Sequence, residues 1–173
     1  SGTMTVNYRP KAIGGIIAES SGLGNYVGDA SGNTRETCGL TTISGCSFTG
    51  TINLKPTVNR MSNYCRCGGI TGDVSRNCVI NENTKSAGAI IIDAYGYQAE
   101  WVENAGGVVG NKTNVAQLDM TGVSSSTVIT ITNLNTAQTT PAGQFDPLVG
   151  ISTNATQGYM TCTDITCTGK VIY

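Results

Sequence analysis

The sequence predicts an all-β protein, a parallel β-solenoid (parallel β-helix) of about four irregular coils with protruding loops, formed as a single domain over residues 1–173. Three observations support this prediction. Short apolar strands with a glycine pair recur along the chain, alternating strands that end in Thr-Gly recur between them, and the composition favours strands and turns. A motif that returns every few tens of residues is typical of stacked repeats.

The glycine-pair strand is the most visible of these elements. Its clear copies are Ile13–Ala18, Cys67–Val74 and Ala105–Gly110, and its degenerate copies are Ala87–Ile92 and Leu148–Ile151. Each copy is a short run of apolar and β-branched residues, so we expect each to form one strand in the wall of a coil.

The second element is an alternating strand that ends in Thr-Gly and is followed at once by another strand. Its copies are Cys46–Leu54, Leu118–Val123 and Ile165–Ile172. Side chains along a strand alternate between its two faces. The alternation therefore predicts that the clearest copy buries four side chains, namely Cys46, Phe48, Ile52 and Leu54.

In this interpretation a coil contains three short strands, and the coils have uneven lengths. The interval from Gly50 to Gly122 is clearly longer than the interval from Gly122 to Gly169. The third coil, over residues 81–120, contains two glycine-pair strands and is expected to hide an extra partial coil. We expect loops over residues 19–40 and 133–147, because lengthening a loop adds little closure entropy. The chain finishes on the first strand of a fifth coil.

Composition excludes several classes of partner. Charged residues make up 12% of the chain and the net charge is −1, which argues against nucleic acid, since phosphate binding needs clustered Lys and Arg. No apolar run approaches the roughly 20 residues that a membrane-spanning helix needs, so no membrane insertion is expected. The low charge and the abundance of Thr and Asn favour an extracellular, cell-surface or virion location. The start at Ser1-Gly2 is typical of a module excised from a longer protein.

The seven cysteines leave three interpretations open. Cys65 and Cys67 have one residue between them, so in a strand both side chains face the same way. Small buried core residues are the first interpretation, since cysteine is among the most often buried residue types. One or two disulfides come second. Metal ligation comes last, because the spacing is not that of a zinc site and the chain has no histidine.

The order of these motifs resembles a known family. Ile13–Ile17, Ile43–Ile52, Cys67–Gly72, Ala105–Gly110 and Thr166–Ile172 together resemble the glycine-rich GLUG repeats of large bacterial surface proteins, adhesins among them, and similar sequences occur in Bacteroidales. The resemblance covers most of the chain in about four imperfect copies. It implies a right-handed β-helix used as a stalk or display surface, and it implies no catalytic residues.

Catalytic chemistry is hard to place in this sequence. The absence of histidine removes Ser-His-Asp and Cys-His catalysis, and no cofactor or metal is expected. The acidic residues are scattered, although Asp73 and Asp93 each follow a glycine-pair strand and could share one face. The favoured interpretation is that they cap turn amides.

Aromatic residues give the best candidate for contact with a ligand. Tyr95, Tyr97 and Trp101 fall within seven residues of one another, beside Gly96. Exposed aromatic rings on a solenoid face can stack on sugar rings. The alternative is that these side chains pack a loop against the coil.

Two functions follow from this sequence. The first is a non-enzymatic cell-surface repeat module that serves as spacer or adhesin, with a glycan or a host-surface receptor as partner. Its end coils would contact neighbouring repeats of the parent chain or a second copy. The second is the receptor-binding or polysaccharide-degrading β-helix domain of a phage fibre or tailspike, which would need a cluster of carboxylates on one face.

Overall fold

The computed structural model describes residues 1–7, 11–20, 40–55, 64–93, 102–113, 116–132, 144–152 and 160–173. Within these ranges the chain is all-β, with 21 strands and no helix. The strands form five sheets in which every neighbouring pair is parallel, as in a β-solenoid. The predicted fold class is therefore confirmed.

Each sheet collects every fifth strand of the chain, and we name the sheets A to E in the order in which the chain visits them. Sheet A contains β1 (Thr3–Val6), β6 (Thr51–Leu54), β11 (Ala89–Asp93), β16 (Val128–Thr132) and β21 (Lys170–Ile172). Sheet B contains β2 (Ala12–Gly14), β7 (Tyr64–Gly68), β12 (Val102–Gly106) and β17 (Gln144–Asp146). Sheet C contains β3 (Ile17–Ser20), β8 (Thr71–Val74), β13 (Val109–Lys112) and β18 (Val149–Ser152). Sheet D contains β4 (Thr41–Ser44), β9 (Cys78–Asn81), β14 (Leu118–Thr121) and β19 (Met160–Thr163). Sheet E contains β5 (Ser47–Phe48), β10 (Lys85–Ser86), β15 (Ser124–Ser125) and β20 (Thr166–Cys167).

A coil thus contains five strands and not the three that the sequence predicts. The strand register fixes the start of each coil through one set of stacked residues, which are Thr3, Thr51, Ala89, Val128 and Lys170. The intervals between successive members show that the first coil is the longest and that the second is the shortest. Four coils and the first strand of a fifth are present, as predicted, and the described strands between residues 81 and 120 form no extra partial coil.

The differences in coil length arise almost entirely at two places. The corners from B to C, from D to E and from E to A contain two residues in every coil, apart from one D-to-E corner of three. The connections from A to B, by contrast, occupy 7–11, 55–63, 94–101 and 133–143, and those from C to D occupy 21–40, 75–77, 113–117 and 153–159. Three corners of each coil are therefore nearly fixed in length, while the other two connections accept insertions.

The core consists of in-register columns of apolar side chains. Ile52, Ile90 and Ile129 stack in sheet A and each is 0% exposed. Of the four side chains predicted to lie inside, Phe48, Ile52 and Leu54 are buried, and Cys46 is half-buried against the same core. The period-two alternation therefore placed this strand pair correctly.

The glycine-pair motif is not a single strand. In Cys67–Val74, strand β7 ends at Gly68, Gly69 and Ile70 form the corner, and β8 begins at Thr71. A β-carbon on Gly69 would lie 2.2 Å from the carbonyl oxygen of Gly107 in the next coil. Glycine is needed at this corner because successive coils approach each other too closely for a side chain.

The Thr-Gly motif combines two different corners. Gly50 lies in the E-to-A corner, whose equivalents by register are Gly2, Gly88, Thr127 and Gly169. Gly122 lies in the D-to-E corner and has a φ of +63°, like Gly45 at +60°. Gly122 is therefore not equivalent to Gly50 and Gly169, and the intervals between these three glycines do not measure coil length. Gly88 likewise belongs to a corner and not to a degenerate glycine-pair strand.

Candidate functional site

The predicted ligand-contacting aromatics lie in one of the two variable connections. Tyr95, Tyr97 and Trp101 fall between β11 and β12, in the A-to-B connection of the third coil. All three lie outside the described residues. Their proposed contact with a sugar ring stays a prediction.

The densest polar chemistry in the described residues is a row on sheet C that we call the charged ladder. It consists of Glu19, Asp73 and Asn111, which are register neighbours on β3, β8 and β13. Asp73 is 0% exposed, and its carboxylate accepts a hydrogen bond from Asn111 Nδ2 at 2.6 Å and another from Ser75 Oγ at 3.1 Å. Arg66 Nη1 donates to the same carboxylate in a salt bridge. Asp73 is thus a buried anion that a cation and two neutral donors hold in place.

The first-coil end of the charged ladder lies nearer to solvent. Glu19 accepts a hydrogen bond from Ser75 Oγ at 2.7 Å and forms a salt bridge with Lys11 Nζ at 3.1 Å. The hydrogen bond from Ser75, followed by the contacts with Lys11, lowers the pKa of Glu19 below its ordinary value despite partial burial. A glycosidase acid needs a raised pKa, so Glu19 is suited to an ion pair and not to proton donation at neutral pH.

The sequence does not reveal this ladder, and the two carboxylates that it suggests could share one face, Asp73 and Asp93, lie apart. Asp73 lies on sheet C and Asp93 closes β11 on sheet A, so the structure does not bring these two onto one sheet. One signal was available. A basic residue precedes the glycine corner and an acidic residue follows it in each of the first two coils. These pairs are Lys11 with Glu19 and Arg66 with Asp73, and their spacings are nearly the same.

A second buried charge lies beside the ladder. Lys112 is 0% exposed and follows Asn111 in β13. Its Nζ donates to the carbonyl oxygen of Thr113 at 3.1 Å, and burial lowers the pKa of the amine. This contact ties the side chain to the edge of sheet C, which is a structural role.

Three of the cysteines are core residues. Cys65, Cys67 and Cys78 are buried in the hydrophobic core, which confirms the first interpretation for these three. Burial raises the pKa of the Cys78 thiol to about 11, so at neutral pH it is not the thiolate that nucleophilic chemistry needs. Cys162 and Cys167 continue the columns of the buried residues Met120 and Ser125. They are exposed because they lie on the last strands of their sheets, which no further strand covers. No set of three metal-binding side chains occurs among the described residues.

A cavity of about 400 Å³ lies at the open side of the first coil. Its lining residues include Met4 and Phe48 together with Thr3, Ser47 and Thr49, and none of its lining residues has a charged side chain. Both residues of β5 line it, and β5 pairs only with β10. The cavity is therefore part of the uncovered end of the stack.

Within the part of the chain that the structure describes, no helix is long and apolar enough to cross a membrane. Comparison with protein-family models, with curated proteins and with solved structures finds no significant match to this chain.

Proposed function

We propose that the chain is a non-enzymatic repeat module of an extracellular or cell-surface protein, a scaffold that carries loops in an adhesin or a spacer. The observation that supports this most directly is the distribution of chain length around the coil. Three corners keep two or three residues in every coil, while the C-to-D connection occupies only 75–77 in the second coil but 21–40 in the first. Such a scaffold changes its loops without changing its core.

The spacing of the loop attachment points follows from the sheets. Every A-to-B connection leaves sheet A and enters sheet B, and neighbouring strands in a sheet lie about 4.8 Å apart. Four such connections are therefore anchored in a row with a rise of about 14 Å from first to last. A row of this kind can present several loops to one extended ligand, such as a glycan chain.

The short length of the described coils along the solenoid axis favours the display of loops over a spacer function. Sheet A stacks five strands, so the described coils rise only about 19 Å along the axis. A coil of about 40 residues therefore adds about 5 Å of length but a full circumference of surface. The spacer function would be fulfilled by several such units, and the display function by one.

An insertion experiment tests the scaffold function. Four residues, Gly-Ser-Gly-Ser, are added between Gln138 and Thr139 in an A-to-B connection, or between Gly107 and Val108 in a B-to-C corner. Lengthening the long connection over 133–143 costs about 0.3 kcal/mol of closure entropy, so we expect unchanged cooperative unfolding. The corner insertion is expected to abolish it. Equal sensitivity at both positions would contradict the scaffold function.

A glycan array tests the adhesin part of the proposal. The chain and its Trp101→Ala variant are compared, and selective loss of a bound glycan in the variant is expected. Release of reducing ends from a bound polysaccharide would instead favour the alternative function, a polysaccharide-degrading fibre domain. The GLUG-type family assignment stays part of the same proposal.

A further inference from the structure

One column of sheet B changes residue type in the last coil. Gly14, Gly68 and Gly106 stack in register, and the fourth member of the column is Asp146. A β-carbon on Gly68 or Gly106 would lie within 1.9 Å of the carbonyl oxygen of Thr71 or Val109 in the same coil, and within 2.8 Å of the backbone nitrogen of Gly110 or Gly150 in the next coil. The first three coils therefore exclude a side chain at this position, whereas the fourth coil carries the side chain of Asp146 there.

The B-to-C corners are linked from coil to coil by a repeated hydrogen-bond pattern. In each of the first three coils, two successive backbone N–H groups donate to one corner carbonyl oxygen of the next coil. The accepting carbonyls are those of Ile70, Val108 and Leu148, and the six donor–acceptor distances lie between 2.9 and 3.1 Å. Each corner therefore depends on the following coil for one acceptor shared by two amides.

In the fourth coil the two corner amides belong to Leu148 and Val149, and their acceptor is a side chain. Asp146 Oδ1 accepts from Leu148 N at 2.7 Å and from Val149 N at 3.1 Å. The distances and the sharing of one oxygen repeat the pattern of the inner coils. The carboxylate thus has the role that a corner carbonyl of the next coil has in the first three coils.

We infer that Asp146 is a built-in cap that supplies the acceptor for its own B-to-C corner and closes this corner to a second copy of the chain. A stacked copy would have to bring its own corner carbonyl to the point that Asp146 Oδ1 occupies. The carboxylate gives two amides a charged acceptor, and hydrogen bonds to charged groups are stronger than neutral ones.

The first coil carries a matching change. Gly72, Gly110 and Gly150 each follow the first residue of a sheet C strand, and their β-carbons would lie within 2.7 Å of the backbone of Ile13, Cys67 and Ala105 in the coil before. The same position in the first coil is Ala18, which is exposed. A copy stacked there in register would press its own backbone at Phe145 against the methyl group of Ala18.

Sheet A adds an independent obstacle. It contains five strands where the other sheets contain four, because both β1 and β21 belong to it. Two copies stacked through sheets B to E would place β21 of one copy and β1 of the other at the same level. One of these strands would have to leave before the coils could meet. This opposes the expectation that copies pair through their end coils.

The inference deepens the proposed function. Its biological consequence, that the scaffold displays loops from its sides as a single unit, rests on that function, whereas the cap itself does not. Hydrogen exchange tests the cap in the 173-residue chain. Leu148 and Val149 amides are expected to be protected in the unmodified chain and in Asp146→Asn, which keeps the acceptor oxygen. Both should exchange roughly tenfold faster in Asp146→Gly, since one hydrogen bond is lost at each. Fast exchange in the unmodified chain, or unchanged protection in the glycine variant, would overturn the cap.

Cross-linking tests the closed end separately. Ile43, Ile80, Met120 and Cys162 form one column, so an in-register stack would place Cys162 of one copy beside residue 43 of the next. Neighbouring strands lie about 4.8 Å apart, within the range that a disulfide bridges. We expect Ile43→Cys to give no intermolecular disulfide with Cys162, like its control Thr42→Cys. A mapped disulfide of that kind would overturn the closed end and leave the display function standing.

Discussion

Gly110→Ala is the substitution whose cost follows most directly from the coil spacing. A β-carbon on Gly110 would lie 2.5 to 2.6 Å from the backbone N, C and O atoms of Cys67 in the preceding coil. Ordinary van der Waals contact begins at 3.4 Å, so β13 and β7 would have to separate by about 0.9 Å. Backbone is the obstacle, and both strands are paired on each side, so neither can yield without weakening a sheet.

The expected loss of stability is a balance of two terms. Overpacking costs about 1–3 kcal/mol, and a rigid backbone obstacle belongs at the upper end of that range. Replacing glycine by alanine returns about 0.4–1 kcal/mol by restricting the unfolded chain. The net destabilisation is about 2 kcal/mol, which lowers Tm by about 4–8 °C in a domain of this size.

Thermal unfolding followed by circular dichroism measures this loss. Gly2→Ala is the matched control, because a β-carbon there would meet nothing within 4 Å. Its Tm is expected to change by less than about 2 °C. If Gly110→Ala unfolds at the temperature of the unmodified chain, the coils are not packed as described and the argument for the glycine columns is wrong.

The charged ladder gives two further predictions. Asp73→Asn breaks a buried ion pair with Arg66, so urea unfolding should show that the free energy of unfolding falls by about 3 kcal/mol. A fall below about 1 kcal/mol would contradict this, because it would mean that the Arg66 guanidinium is solvated in the variant. Glu19 has a folded pKa below its ordinary 4.5, so its contribution is complete above pH 4.5 and is lost as the pH falls through the folded pKa. Because its pair with Lys11 is partly exposed, that contribution is below about 1 kcal/mol, and Glu19→Gln should reduce the loss of stability between pH 5 and pH 3. An unchanged pH profile in Glu19→Gln would contradict this assignment.

The fold class could be predicted because it depends on local patterns, namely β-branched alternation and recurring glycines. The strand register could not be predicted, because the Thr-Gly dipeptide occurs at two different corners for different physical reasons. Gly50 has no positive φ and is required because a β-carbon would lie 2.5 Å from the carbonyl oxygen of Gly2, whereas Gly122 supplies a positive φ at another corner. Without coordinates, Thr49-Gly50 and Thr121-Gly122 are indistinguishable, and aligning them shifts a strand into the wrong sheet.

The candidate site was less predictable than the fold. The charged ladder joins side chains from three different coils, and only the register shows that Glu19, Asp73 and Asn111 are neighbours. The role of Asp146 was hidden for a related reason, since it becomes apparent only beside the corner carbonyls that accept the same hydrogen bonds in the other coils. Its three glycine counterparts become visible only when the strands of sheet B are stacked.

Disulfide trapping on the outer face of sheet A tests the central claim, the five-strand register, most directly. Asn53 and Ile91 are register neighbours and both are half-buried, so Asn53→Cys with Ile91→Cys places two thiols on strands about 4.8 Å apart. Asn53→Cys with Ala89→Cys is displaced by two residues, which gives a separation of about 8 Å, beyond disulfide reach. In a background without the seven native cysteines, we predict an intramolecular disulfide in the first pair and none in the second. The reverse result, or equal oxidation of both pairs, would contradict the register on which the account depends.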